Sequence, residues 1–105
     1  MDKEVIPLVN YFNKNGLSTY MSCQGHNSTN MSMFWISFTK NITEQDIINF
    51  QKKHRDSFGN FTSCGRFAER LYVGKESIEK EWCYLAATIQ AANADLSKWI
   101  NQDIT

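Results

Sequence analysis

The chain has 105 residues, and its eleven basic and eleven acidic side chains give a formal net charge of zero. One domain of ordinary size is expected, with a single core drawn from a composition that is 42% hydrophobic and holds fourteen aromatic residues. Zero net charge excludes a general nucleic-acid coat, which needs a basic surface to displace counterions, and equally excludes an acidic mimic of DNA.

Apolar runs fall far short of the ~20 residues of a membrane span, and no secretory signal is expected at the start. Cys23, Cys64 and Cys83 form an odd set without disulfide spacing, the pattern of a reducing cytoplasm. Abundant Asn, Ile and Lys fit an AT-rich coding sequence, and with it a bacterial host cell.

Val5, Leu8, Val9 and Phe12 recur at i, i+3, i+4 and i+7, which predicts a helix over residues 4–14. Pro7 lies in its first turn, where a missing N–H costs nothing. Asn15-Gly16 supplies a left-handed stop, and Leu17 folds back on the last turn. Residues 17–23 alternate by twos, so the expected strand places Leu17, Thr19, Met21 and Cys23 on one face. A polar loop follows from Gln24 to Ser32. Residues 33–38 are apolar at nearly every position and read as a central strand, covered on both faces or on one face plus an interface. Thr43 opens a second helix with Asp46 in the capping-box position. This helix buries Ile47, Ile48 and Phe50 and frays near Lys52, Lys53, His54 and Arg55.

A third strand is predicted over Arg66–Val73, with Phe67, Glu69, Leu71 and Val73 on one face and Arg66, Ala68, Arg70 and Tyr72 on the other. A charged connection over 74–80 leads to a fourth strand over 82–87. The last helix spans 89–101, with Ile89, Ala92, Leu96, Trp99 and Ile100 along one side. The order α-β-β-α-β-β-α with short polar connections predicts an α+β two-layer sandwich. Its sheet is four-stranded and mostly antiparallel, with the helices on one side, in one domain covering 1–105.

Ser22-Cys23-Gln24-Gly25-His26 is the most conspicuous local feature. A glycine in a loop leaving a strand lets backbone approach a ligand closely. Cys23 and His26 make half of a zinc site, yet His54, Cys64 and Cys83 are not spaced as the other half, so neither metal nor cofactor is expected. Nucleophilic catalysis by a Cys-His pair needs a third, orienting group, and no signature surrounds these two. The stretch from Gln24 through Gly25, His26 and Asn27 to Asn30 is dense in hydrogen-bonding groups and poor in charge. That suits a nucleotide, a base edge or a partner's backbone. A plain exposed hairpin loop would read the same way.

Thr19-x-x-Ser22-Cys23-x-Gly25-His26 resembles the Thr-x-Ser-Cys-x-Gly-Arg stretch of the wybutosine-synthesis methyltransferase family, which acts on transfer RNA. His26 stands where that family has Arg, and what the resemblance implies is a shared turn and a nucleotide-facing loop, not a methyltransferase. In size and Asn-rich composition the chain resembles, in style, small phage and prophage accessory proteins. Among these are anti-CRISPR proteins that block Cas9-type nucleases. That likeness implies occupancy of an effector's nucleic-acid channel or the masking of one of its domains.

Residues 50–70 carry Lys52, Lys53, Arg55, Arg66 and Arg70 against only Asp56 and Glu69. If the helix end and the third strand lie together, they form a basic patch with Phe58, Phe61 and Tyr72, able to stack bases or grip guide RNA. A solvated helix terminus beside an exposed strand face accounts for the same residues. Trp35 lies opposite Phe34, Ile36 and Phe38 across the sheet and is the expected interface residue, for a partner or a homodimer. The leading expectation is a non-enzymatic, anti-CRISPR-type inhibitor of a Cas9-type ribonucleoprotein. The alternatives are a small-nucleotide sponge or sensor using the Ser22–Asn30 loop, and a metal- or thiol-dependent enzyme.

Overall fold

The computed structural model describes residues 3–24 and 33–104. The elements are α1 (Ile6–Lys14), β1 (Thr19–Gln24), β2 (Phe34–Phe38), α2 (Glu44–Lys53), β3 (Arg66–Val73), β4 (Ile78–Ala86) and α3 (Ile89–Ile104). α1 ends as its sequence requires. Gly16 takes a positive φ of 88°, and its N–H donates to the Asn13 carbonyl at 3.3 Å, while the Leu17 N–H donates to the Phe12 carbonyl at 2.9 Å. This paired closure turns Leu17 inward, where it is fully buried. The Asn13 side chain then clamps the entry to β1, accepting from the Thr19 N–H at 3.0 Å and donating to the Val9 carbonyl at 2.9 Å.

All strand pairs are antiparallel and the sheet order is β1-β2-β4-β3, so two hairpins join through β2 and β4. Phe34, Ile36, Phe38, Tyr84 and Ala86 project from one face into a core shared with all three helices. The opposite face carries no helix among the described residues. This is the expected α+β two-layer arrangement. Phe12 is central to the core: its ring centroid lies 5.2 to 6.1 Å from those of Phe38, Phe50, Phe67, Tyr84 and Trp99. Burial of each such side chain contributes about 1.5–3 kcal/mol.

Several elements depart from the periodicity argument. In β1 a bulge between Thr19 and Met21 opposes one extra residue to β2. The alternation therefore changes phase: Ser22 pairs with Ile36 on the core side, and Met21, 41% exposed, moves to the helix-free face. Gln24 belongs to β1 rather than to a loop. β4 starts at Ile78, not at 82, because Glu79 and Glu81 alternate onto the helix-free face. The hairpin connection shrinks to residues 74–77, closed by the Gly74 N–H on the Ser77 carbonyl at 2.8 Å. In α2 the Thr43–Asp46 capping box forms, but Ile48 is only half-buried.

His54, expected in a frayed basic end, is fully buried. Its Nδ1–H donates to the Phe50 carbonyl at 2.7 Å, and its Nε2 is hydrogen-bonded to the Tyr11 hydroxyl at 2.5 Å. The ring also stacks on Phe50 with centroids 4.2 Å apart. α3 runs three residues beyond the expected end, and Ile100 is exposed.

The inner stripe of α3 includes Asp95, which is fully buried. Its carboxylate receives the Ser63 hydroxyl at 2.8 Å, the Cys64 N–H at 2.6 Å, the Gly65 N–H at 2.8 Å and the Tyr84 hydroxyl at 2.5 Å. Burial pushes its pKa up, but the hydrogen bonds from Tyr84, Cys64, Gly65 and Ser63 outweigh that and hold it below the usual carboxylate range. Gly65 permits this approach, since a Cβ there would stand 2.5 Å from the Leu85 carbonyl oxygen.

Two outcomes follow for stability. A depressed pKa stabilises the fold above the unfolded-state carboxyl value and loses that contribution as pH falls through the folded-state value. The melting temperature should therefore drop on acidification below about pH 4, and the drop should shrink in Asp95→Asn, whose stability at neutral pH should be lower by ~2–4 kcal/mol. Denaturant titration should also show Gly65→Ala more damaging than Gly16→Ala. At Gly16 nothing lies within 4 Å of an added Cβ, and the cost is the backbone's ~1–2 kcal/mol alone.

Candidate functional site

The helix-free face is assembled by alternate residues of four strands. Cross-strand pairing sets Arg66 opposite Leu85, Ala68 opposite Cys83, Arg70 opposite Glu81 and Tyr72 opposite Glu79. β2 adds Trp35, paired with Leu85, and Ser37, paired with Cys83. β1 adds Tyr20 and Met21, both exposed. The two-residue alternation of β3 thus brings Arg66 and Arg70, four positions apart, to one side of an edge strand.

A carboxylate organises the middle of this face. Glu81 is only 4% exposed, and its Oε2 accepts from the Tyr20 hydroxyl at 2.6 Å. Its Oε1 accepts from the Ser37 hydroxyl at 3.2 Å and faces Arg70 Nη1 at 3.5 Å. The bond to Glu81 raises the Tyr20 pKa above that of an ordinary phenol. An acid this buried is retained only where its hydrogen bonds are filled, and here they fix Tyr20 and Arg70 from opposite sides. Arg70 remains half-exposed, with guanidinium donors left for a ligand.

Beside this row lies a concavity of about 510 Å³ lined by Trp35, Arg66, Ala68, Glu69, Arg70, Cys83 and Leu85. The Trp35 indole N–H is buried and finds no acceptor among the described residues, a condition that folded interiors rarely leave. At the other end of the face a second concavity of about 500 Å³ is lined by Lys40, Tyr72, Val73, Gly74, Lys75 and Glu79. There the Glu79 carboxylate accepts from Lys40 Nζ at 2.5 Å and from the Tyr72 hydroxyl at 2.8 Å, and Lys40 holds its pKa below the usual range.

The expected basic group does not form one patch. Arg66 and Arg70 line the first concavity, whereas Lys52 and Lys53 occupy the last turn of α2 in the helix layer on the other side of the sheet. Arg55 is exposed and bridges to Phe61. Phe61 itself packs against Phe67 and Trp99, and Phe58 stands in solvent. Gly25, His26 and Asn27 lie outside the described residues. Gln24 pairs with Phe34 at the base of the β1–β2 hairpin, the end of the sheet where Leu85 and Arg66 also lie. Trp35 is on the face opposite Phe34, Ile36 and Phe38, as expected.

Glu81 and Tyr20 escaped the sequence argument, whereas Tyr72 shares a face with Arg66 and Arg70 as expected. The signal for Glu81 is the alternation Glu79, Glu81, Cys83, Leu85, which becomes visible once β4 is extended back to Ile78. Among the described residues no three His, Cys, Asp or Glu side chains gather as metal ligands. No described helix is long and apolar enough to cross a membrane.

Burial pushes the Cys83 thiol above its ordinary pKa, while Cys64 is exposed. Under native conditions iodoacetamide should therefore label Cys64 and spare Cys83 until denaturant is added, as peptide mass mapping would report. No family model, curated protein or solved structure matches the chain.

Proposed function

We propose that the chain is a non-enzymatic counter-defence protein of phage or mobile-element type. It acts in the bacterial cytoplasm as a stoichiometric, anti-CRISPR-type inhibitor of a Cas9-type nuclease, meeting the effector's nucleic acid with the helix-free face of its sheet. The observation that carries this reading is the grouping of Trp35, Arg66 and Arg70 around one concavity on that face. An indole ring stacks on a base for ~1–3 kcal/mol, and guanidinium groups meet phosphate oxygens in a planar fork. Zero net charge keeps general nucleic-acid affinity low and leaves recognition to a local site. Occupancy rather than turnover fits side chains already committed to structure. The Cys83 thiol is buried, and Asp95 and Glu81 spend their lone pairs on internal donors.

A second reading is a protein that sequesters a free small nucleotide. It draws support from the first concavity, whose ≈ 510 Å³ matches a site for one such ligand.

The test is a cleavage reaction with preassembled Cas9–guide RNA, titrated with this protein. Cleavage should be lost near one equivalent, with co-elution of the two on gel filtration. Trp35→Ala and Arg66→Glu should each weaken inhibition about ten-fold or more. Full cleavage at large molar excess, without co-elution, would sink the inhibitor reading. A nucleotide retained in native mass spectra of the gently purified protein would select the second.

A further inference from the structure

The two concavities share one face and one strand. Arg66 and Arg70 of β3 line the first, and Tyr72, two residues further along the same side, lines the second. At ~3.4 Å per residue, Arg66 to Tyr72 spans about 20 Å. Each concavity, at about 510 and 500 Å³, has room for a single nucleotide unit, and a nucleotide seated between Trp35 and Arg66 lies at the far end of that span from Tyr72.

Their chemistry repeats. The first offers an aromatic ring, Trp35, with a cation at Arg66, and the second offers Tyr72 with Lys40 and Lys75. The Tyr72 ring is held by its hydroxyl bond to Glu79, with the Lys40 ammonium over it at 6.0 Å from the centroid. Two acids on this face are answered internally, Glu81 by Arg70, Tyr20 and Ser37, and Glu79 by Lys40 and Tyr72, while the exposed Glu69 borders the first concavity. Among the described residues, the ion pairs on this face join Glu81 to Arg70 and Glu79 to Lys40, and neither Arg66 at one end nor Lys75 at the other has an acidic partner. A cation without an ion-pair partner in each concavity fits a ligand that carries its own anions at regular intervals.

From this geometry we infer that the face takes a single strand of nucleic acid about four nucleotides long, laid along β3, with one base at Trp35 and another at Tyr72. Sites of that length are the short end of what one small sheet binds. The inference rests on the reading of this face as a nucleotide-binding surface, and it favours a polymer over a free nucleotide. Stacking and phosphate contacts serve RNA and DNA alike, so the probe is used in both forms.

The experiment is fluorescence anisotropy at low salt with labelled tetrauridylate and tetrathymidylate, each competed by unlabelled UMP. The tetranucleotides should bind at least about ten-fold tighter than UMP. The double variant Tyr72→Ala/Lys75→Glu should lose about ten-fold on the tetranucleotides and far less on UMP, while Trp35→Ala should lose both. Circular dichroism melts would verify that the variants are folded. Equal affinity for UMP and tetranucleotide, or unchanged tetranucleotide binding by the folded double variant, would overturn the inference and confine the ligand to the first concavity. Binding of neither by the wild-type protein would instead remove the reading of the face, and the inference with it.

Discussion

The fold turns on one aromatic side chain. Phe12, projecting from α1, meets Phe38 of β2, Phe50 of α2, Phe67 of β3, Tyr84 of β4 and Trp99 of α3. Six elements thus converge on one ring, and edge-on or tilted contacts let rings pack without like-charged faces meeting. With three helices committed to this cluster, no helix covers the other side of the sheet among the described residues. One-sided burial leaves the opposite sheet face, with Trp35, Arg66 and Arg70, clear of helices.

Two buried carboxylates then work on opposite sides of that sheet. Asp95 faces the helix layer and gathers the segment from Ser63 to Gly65 onto α3 and β4. Glu81 faces the other way and ties β1, β2 and β3 to β4. Each carboxylate would be costly to bury alone, and each is filled by neutral or cationic donors. β4 supplies partners for both, Tyr84 on one side and Glu81 itself on the other. The central strand therefore couples the rigidity of the core to the placement of Arg70.

Most of the architecture was legible from local chemistry. The α1 stop at Asn15-Gly16, the Thr43–Asp46 cap and the limits of β3 depend on neighbours in sequence, and short-range reasoning reaches them. The β1 bulge was not legible, since a single extra residue leaves the alternation of Leu17, Thr19 and Met21 looking unbroken while reversing its later half. His54 reads as part of a solvated helix end because polarity alone does not reveal a partner, Tyr11, forty-three positions away, and nothing local marks Asp95, whose donors lie eleven to thirty-two positions away. The same limit split the basic group. Lys52 and Lys53 are near Arg66 in sequence, but the turn from α2 into β3 carries the chain from the helix layer to the sheet. Trp35 was legible because its opposition to Phe34, Ile36 and Phe38 needs only the pleat.

The β3–β4 hairpin runs past the helices, so that Leu71, Val73 and Ile78 stand 63%, 86% and 70% exposed, while Phe67 and Tyr84 at its root pack with Phe12. One pair of strands thereby carries a gradient of protection against amide exchange. Amides near Tyr84 should exchange slowest and those around Val73 and Ile78 fastest, since local opening is cheapest where few apolar contacts hold the strands. The two concavities inherit that gradient. The one at Trp35 is walled by strands rooted in the core, whereas the one at Tyr72 lies on the exposed end of the hairpin, where a change of shape would disturb no core contact.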